Sequence, residues 1–482
     1  MPPWVVVLAI TGGFAICAWS AVEQWGNGGG DDAYTYRDYV QWLDKQHRIP
    51  RRDQNYEYAL PVGVPAVGVL VQRAFGTPNL DNPSSPPLQA LPKLLRRLLW
   101  LGLLIGGGFA IARARPLQPR WLIGIGAWIA AGGWAAAYVW AAANNEWWLP
   151  LVLISYVAGV LLVPATALLA HEVWPDWRWA SPLGATSAVL MPVVLASTLY
   201  FHPDPPFALL CVLAVALCLR ALRTGPTVLF GIAMGVVLGL AALARQSWPV
   251  VAISLAAAAV LVARKRALPF LGAAAGAMLV IAGWWWYQQW ERYSNPIQAN
   301  LNRPGYMLDH QPFSFFVSFP SQLISHPRAP YFENALLPRF HAYLWSDWGG
   351  GYHHWGETKR FATLLASTQS VLGFGGDALV LGGVAFIGLP ALWRRRDSAF
   401  VVLTTLFILA WGAYITTLVR FPQKGGDPIK VHYLLFLAPV SAVFAIAAAR
   451  ALVRRGGWQR LVLYAWLALY SLSWALTFAT AF

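Results

Sequence analysis

Apolar runs long enough to cross a lipid bilayer recur along almost the whole chain, and this feature limits the fold more than any other. Hydrophobic residues make up 58% of the 482 positions and charged residues only 11%, with a mean hydropathy of +0.50. A water-soluble globule of this length needs more polar surface than that. The sequence therefore predicts an all-α polytopic membrane protein.

The predicted bundle contains about 11–13 transmembrane helices, each matched to about 30 Å of hydrocarbon. No small-residue cleavage site follows the first apolar run, so we expect it to stay as an anchor. The predicted spans are residues 3–22, 98–112, 121–142, 148–170, 183–201, 206–222, 227–244, 249–263, 268–287, 375–393, 399–419, 433–452 and 460–480.

Lysine and arginine residues form short clusters in alternate connections between these spans. The formal net charge is +15, but the charges do not lie on one amphipathic face, so we expect no nucleic-acid partner. The positive-inside rule instead places these clusters in the cytoplasm and two long segments, 23–95 and 288–372, on the outer face. The cytoplasmic clusters contain Arg113, Arg115, Arg120, Arg220, Arg223, Arg264, Lys265, Arg266, Arg394, Arg395, Arg396, Arg450, Arg454, Arg455 and Arg460.

The first outer segment carries patterns of surface helices. Tyr36, Tyr39, Val40 and Leu43 recur at helical spacing, which predicts an amphipathic helix lying on the membrane surface. A second apolar piece, residues 60–75, contains a proline and has polar flanks, so we interpret it as interfacial. The outer segment 288–372 is rich in Trp, Tyr, His and Gly, which suits a folded loop with aromatic surfaces or an interfacial aromatic belt.

Two adjacent aspartates, Asp31 and Asp32, follow the first span where lipid meets water. One aspartate could cap the following helix, but capping would not explain the second aspartate. Because charges near the hydrocarbon are costly and usually face a cavity or a partner, we interpret the pair as functional.

Other acids and bases gather at the predicted outer ends of spans. HPDPP could be only a proline-rich turn, and an arginine at a span end could only snorkel to lipid headgroups. The three cysteines, all in apolar runs, indicate neither a disulfide framework nor a metal-thiolate site. The outer candidates are Glu57, His202, Asp204, Arg245, Gln246, Lys424, Asp427, Lys430, His432 and Tyr433.

The order of these features resembles the GT-C superfamily of integral membrane glycosyltransferases. A first span precedes an acidic pair, an amphipathic helix, the YEYALP element, a PD turn, an Arg-Gln at a span end, an aromatic outer loop and a basic-His-Tyr motif. Within the superfamily, bacterial relatives of protein O-mannosyltransferases and of the aminoarabinose transferase of lipid A are the most similar. The resemblance covers most of the chain, and residues 1–482 form one transmembrane glycosyltransferase domain on this interpretation.

The resemblance implies roles for the candidate residues. Asp31 or Asp32 supplies the catalytic carboxylate, and Glu57 matches the glutamate of an element in which this chain has leucine where the family has lysine. Arg245, Lys424 and Lys430 are candidates for the donor phosphate. The remaining substrate-binding candidates are His202, Asp204, Gln246, His432 and Tyr433.

The expected reaction transfers a sugar from a polyprenyl-phosphate donor to a glycan, lipid or protein hydroxyl on the outer face, with inversion and an aspartate as general base. We expect no cofactor, although the carboxylates could bind a divalent cation. The richness in Ala, Arg and Trp is typical of a GC-rich bacterial genome, which makes the plasma membrane the expected compartment. The alternative is a secondary transporter or a flippase of a lipid-linked substrate, but we find no internal repeat that supports it.

Overall fold

The structure is a computed structural model that describes residues 2–25, 33–51, 54, 60–75, 149–199, 201–296, 312–325, 327, 335–346, 359–420 and 431–481. Every regular element in these ranges is a helix. In chain order the α-helices are α1 (Pro3–Trp25), α2 (Ala33–Gln46), α3 (Gly63–Phe75), α4 (Leu149–Val173), α5 (Ala180–Val189), α6 (Pro192–Ala196), α7 (Asp204–Thr224), α8 (Val228–Ala244), α9 (Trp248–Ala263), α10 (Ala267–Tyr293), α11 (Phe313–Val317), α12 (Gln322–Ser325), α13 (Leu336–Trp345), α14 (Lys359–Gly383), α15 (Leu389–Arg394), α16 (Ser398–Arg420), α17 (Ala438–Arg455) and α18 (Gly457–Ala481).

The prediction of an all-α polytopic membrane protein is confirmed for the described residues, in which six helices are long and apolar enough to cross a membrane. The stretch 248–293 joins two predicted spans through one 3₁₀ turn at Arg264–Arg266. The predicted spans 98–112 and 121–142 lie outside the described residues. The six helices are Leu151–Val173, Asp204–Thr224, Trp248–Tyr293, Thr363–Arg394, Ser398–Val419 and His432–Arg455.

Two predicted spans differ from the observed helices. The span 183–201 is divided into α5 and α6, with Met191 between them in an extended conformation (φ −97°, ψ 106°). Pro192 explains the break, because a proline disfavours helical geometry in the residue before it. The span predicted from 375 begins earlier, at Lys359, and continues to Arg394 through a π-helical segment, Val384–Gly388.

The helices alternate so that basic residues collect at one end of the bundle. Arg223, on the last turn of α7, donates to Glu172 at the end of α4 (Nη2–Oε2 2.5 Å). Arg450 lies over the Trp177 ring, 4.3 Å from its centroid. The turn Arg264–Arg266 follows α9, which begins three residues after Arg245. Arg223 and Arg450 thus lie at the end of the bundle away from the start of α7. The predicted cluster of Arg113, Arg115 and Arg120 lies outside the described residues.

Glycine fixes how closely α8 and α10 pack. Gly231, Gly235 and Gly239 recur every fourth residue on α8, and a Cβ at Gly235 would overlap the backbone of Ala274 on α10. Small residues at this spacing let membrane helices approach backbone to backbone. The register of α8 against α10 therefore depends on this stripe, and α8 delivers the next residue, Arg245, to the site.

The amphipathic helix predicted in the first outer segment is confirmed as α2. Tyr36, Tyr39 and Val40 are buried, and Val40 packs at Gly68 of α3. Arg73 on α3 also pairs with Asp44 on α2 (Nε–Oδ1 2.7 Å). The two helices form one unit, whose position relative to a membrane surface stays a prediction.

Candidate functional site

Asp204 is the centre of a buried polar cluster at the end of the bundle opposite the arginine clusters. Its side chain is 1% exposed, and its two carboxylate oxygens have different partners. Arg245 Nη1 donates to Oδ1, and the His202 ring nitrogen Nδ1 lies against Oδ2. A buried carboxylate is costly unless it is paired and hydrogen-bonded, and here the guanidinium and the imidazole meet both requirements.

His432 and Tyr433 complete the cluster from a distant part of the chain. His432 Nε2 lies 3.6 Å from Asp204 Oδ2, and its ring contacts His202 edge-on with the ring centroids 4.8 Å apart. The Arg245 guanidinium carbon lies over the Tyr433 ring, 4.4 Å from its centroid. Arg245 is thus held between a carboxylate and an aromatic face, with its side chain 12% exposed.

The backbone geometry that presents these side chains follows from the local sequence. Pro203 and Pro205 flank Asp204 at the first turn of α7, where a missing N–H costs little. Ser155 on α4 anchors the preceding turn, because its hydroxyl is 2.9 Å from both the N and the O of His202. Tyr36 of α2 closes the cluster, with its ring centroid 5.1 Å from that of His202.

The structure brings together five of the predicted site residues and leaves others undescribed. His202, Asp204, Arg245, His432 and Tyr433 meet in one cluster although they span more than 200 positions of the chain. Gln246 is half-buried in the turn after Arg245. The predicted residues outside the described ranges are Asp31, Asp32, Glu57, Lys424, Asp427 and Lys430.

A cation could find suitable ligands in this cluster. His202, Asp204 and His432 each offer a ligand atom, and these atoms lie within 4.8 Å of one another. Two imidazoles and a carboxylate are a donor set that suits Zn²⁺. However, Arg245 already supplies a positive charge to the same carboxylate, so a divalent ion there would have a guanidinium as its neighbour. The ligand atoms of His202, Asp204 and His432 therefore suit a metal ion, whereas the positive charge of Arg245 disfavours one.

A second histidine–aspartate pair lies inside the bundle. His341 on α13 faces Asp377 on α14 (Nδ1–Oδ2 2.5 Å), and its other nitrogen is 2.8 Å from the Ser370 carbonyl oxygen. A carbonyl only accepts, so Nε2 carries a hydrogen and Nδ1 is the nitrogen that faces the carboxylate. Trp345 donates its indole N–H to the other Asp377 oxygen at 2.6 Å.

An apolar cavity of about 470 Å³ lies beside this second pair. Leu434 and Leu435, two and three residues after His432, lie in its wall. The other walls come from α13, α14 and α16, including Phe340, Val380 and Trp411. The cavity thus lies among the membrane helices and shares a wall with the segment that carries His432.

Sequence reasoning missed the residues of the second pair and Ser155. Asp377 was visible as a lone acid in a predicted span, a signal that by itself suggests a function or a partner. Its partner His341 was not predictable, because it lies in the long outer segment and meets Asp377 only when α13 docks on α14. Ser155 carries no distinguishing pattern within an apolar helix.

No protein-family model matches this chain, and no curated protein matches its sequence. The fold aligns with solved structures of an oligosaccharyltransferase from Archaeoglobus fulgidus. The crystal structure in complex with Zn and sulfate is 16% identical with a TM-score of 0.47, over 98% of this chain and 53% of that one. The same organism's oligosaccharyltransferase AglB, in complex with an inhibitory peptide and a dolichol-phosphate, is 15% identical with a TM-score of 0.45, over 98% and 55%.

This chain spans about half the length of the proteins with which it aligns. At this identity and TM-score, the likeness assigns neither a substrate nor an activity to this chain.

Proposed function

We propose that this protein is a glycosyltransferase that moves a sugar from a polyprenyl-phosphate donor to an acceptor hydroxyl at the outer face of a bacterial plasma membrane. The observation that carries the proposal is the meeting of Asp204, Arg245 and His432 in one cluster at the end of the bundle opposite the arginine clusters. By the positive-inside rule, the end without those clusters faces outward.

Arg245 is the proposed contact of the donor phosphate. Asp204 engages one of its terminal nitrogens, and a guanidinium presents five N–H donors in a planar fork that matches phosphate oxygens. The pairing with Asp204 and the packing on Tyr433 fix the orientation of the guanidinium. A fixed cation stabilises the negative charge that develops on the leaving phosphate without reorganising during the reaction.

The apolar cavity is the proposed place of the first isoprene units of the donor. His432 and Leu435 are three residues apart in the segment Val431–Leu437, which is kinked at Leu434. One short segment thus carries a residue of the polar cluster and a residue of the apolar wall. A water-soluble sugar nucleotide would have no use for such a cavity.

Asp31 and Asp32 keep their proposed catalytic role. In the chain, only three residues separate Asp32 from Tyr36, whose ring contacts His202 in the cluster. One of these carboxylates takes the proton of the acceptor hydroxyl as the oxygen bonds to the anomeric carbon. The bond from that carbon to the phosphate oxygen breaks, polyprenyl phosphate leaves, and the single displacement inverts the anomeric centre.

The test is incubation of the purified protein with a panel of radiolabelled polyprenyl-phosphate sugars, followed by measurement of released polyprenyl phosphate. Release of polyprenyl phosphate from at least one donor supports the proposal if the release requires added acceptor. If every donor stays intact in a protein that binds it, the assignment as a transferase is wrong. Movement of an intact lipid-linked sugar across vesicles would then favour the flippase alternative.

A further inference from the structure

Helix α2 has two faces, and the face turned away from the bundle carries a second concave site. The inner face buries Tyr36, Tyr39 and Val40. The outer face and the chain just after it enclose a pocket of about 370 Å³. Its lining includes Thr35, Asp38, Gln41, Trp42, Gln46 and Gln54.

The side chains of this pocket suit a neutral saccharide. Amides and a carboxylate are planar groups that can hydrogen-bond to adjacent hydroxyls, and the three glutamines supply both donors and acceptors. An indole ring offers an apolar face to the C–H side of a pyranose. Among the lining residues, Lys45 and Asp38 contribute opposite charges, and the amides make the lining more polar than a lipid tail requires.

Trp42 gives an independent indication of a ligand. Its indole nitrogen is buried and has no hydrogen-bond partner within the described part of the chain. Buried N–H groups are nearly always paired, and one that lines a pocket is commonly completed by water or by a ligand oxygen. The guanidinium of Arg48 lies over the ring at 5.7 Å from the centroid, so a sugar would use the other face or the edge.

We propose that this pocket binds one or two neutral sugar units of a glycan acceptor. The identification of the occupant as acceptor rests on the proposed function, whereas the saccharide class rests on the pocket itself. Thr35 in the pocket and Tyr36 against His202 are neighbours on opposite faces of one helix. A helix with its side chains is about 10–12 Å wide, which a few sugar units can span. Sugar bound on α2 would therefore leave another unit of the same glycan within reach of the cluster.

The first experiment measures saccharide binding by saturation-transfer NMR on the full-length protein in nanodiscs, without any donor. The probes are mannobiose, cellobiose and N,N′-diacetylchitobiose. We expect NMR saturation transfer from the protein to at least one probe. Binding should be about 3- to 10-fold weaker in Trp42→Ala, since a stacked ring is lost. Trp179→Ala is the matched control, because Trp179 is 50% exposed, lies beneath Arg178 and does not line the pocket. It should bind like the wild type.

The second experiment separates this inference from the proposed function. Trp42→Phe keeps an aromatic face and should bind sugar even if Trp42→Ala fails to fold. With an oligosaccharide acceptor, Trp42→Phe and Gln41→Ala should raise the KM for acceptor and leave kcat and the KM for donor near wild type. Saccharide binding without any release of polyprenyl phosphate would support the saccharide pocket and refute the proposed transferase activity. If none of the three probes receives NMR saturation from the protein, or if wild type and Trp42→Ala bind equally, the inference is overturned. Trp42 would then be an interfacial anchor.

Discussion

Two histidine–aspartate pairs in this protein look alike but differ in their third partner. Asp204 faces His202 together with Arg245, whose positive charge is permanent. Asp377 faces His341 together with the neutral indole of Trp345. The first centre thus contains a permanent cation at the helix ends, whereas the third partner of the second centre is uncharged. A permanent cation can act on a charged ligand, whereas the second pair joins α13 to α14.

The largest effect should come from the aspartates beside the first centre. Asp31→Asn or Asp32→Asn removes a base and keeps size and capping ability, so at least one variant should purify normally and bind donor. Its turnover should fall by about 10² to 10⁴. The measurement is single-turnover release of polyprenyl phosphate beside a donor-binding assay. Near wild-type transfer by both variants would remove the catalytic assignment and make Glu57 the next acid to test.

The same substitution at the two centres should have opposite outcomes. Asp204→Asn removes the buried carboxylate that pairs with Arg245, whose side chain is only 12% exposed, at a cost of about 3–5 kcal/mol. The asparagine in Asp377→Asn can donate to His341 Nδ1 and accept from Trp345, so its cost should stay below about 1 kcal/mol. Thermal unfolding in detergent measures both. Equal destabilisation by the two substitutions would show that the pairing with Arg245 does not set the two centres apart.

Removal of the second carboxylate altogether should be costly in a different way. Asp377→Ala leaves the His341 nitrogen and the Trp345 N–H without their partner, at about 1–3 kcal/mol each. Because the pair holds α13 on α14, we expect faster proteolysis of the segment around 335–346 than in Asp377→Asn. Turnover per folded molecule should change little. A large loss of turnover in fully folded Asp377→Ala would give this centre a direct part in the chemistry.

The charge of Arg245 itself should be worth about 2–3 kcal/mol in donor binding and leaving-group stabilisation, or roughly 30- to 160-fold in kcat/KM. Arg245→Lys should recover only part of this, because lysine lacks the planar fork. Arg73→Ala is the control. The Arg73 side chain is 55% exposed, and exposed ion pairs such as the one it forms with Asp44 contribute little to stability. Unchanged kinetics in Arg245→Ala would return Arg245 to a role as a lipid-facing charge.

The smallest effect should come from chelation. Because Arg245 already supplies a cation at Asp204, dialysis against EDTA should leave transfer within about twofold of the untreated protein. Activity assays before and after dialysis, with zinc or magnesium added back, measure this. A strong loss that zinc restores would mean that His202, Asp204 and His432 hold a metal beside the guanidinium.

The sequence predicted those parts of the fold that local chemistry decides. Helical spacing of Tyr36, Tyr39 and Val40 gave both the existence of α2 and its buried face. The residues predicted at the outer ends of spans include five that meet in the candidate cluster. Local signals of this kind are short and depend on neither the packing partner nor the register.

Contacts that need a partner helix were beyond prediction. The break at Met191 could have been inferred from Pro192, but the apolar run around it outweighed that signal. The pairing of His341 with Asp377 depends on how α13 docks, which no spacing records. The pocket on α2 likewise arises from the turn that brings Gln54 back beside Trp42, so composition alone could not indicate it.

The length of α8 has a consequence for the surrounding bilayer. Val228–Ala244 contains 17 residues, about 26 Å of helix, which is less than the roughly 30 Å of hydrocarbon in an average membrane. The glycine stripe fixes α8 against α10, so α8 cannot adjust its depth alone. We therefore expect the lipid layer to thin locally beside Arg245, as it does around short hydrophobic segments. A hydrophilic acceptor would then meet a lipid-borne donor where the barrier between water and oil is lowest.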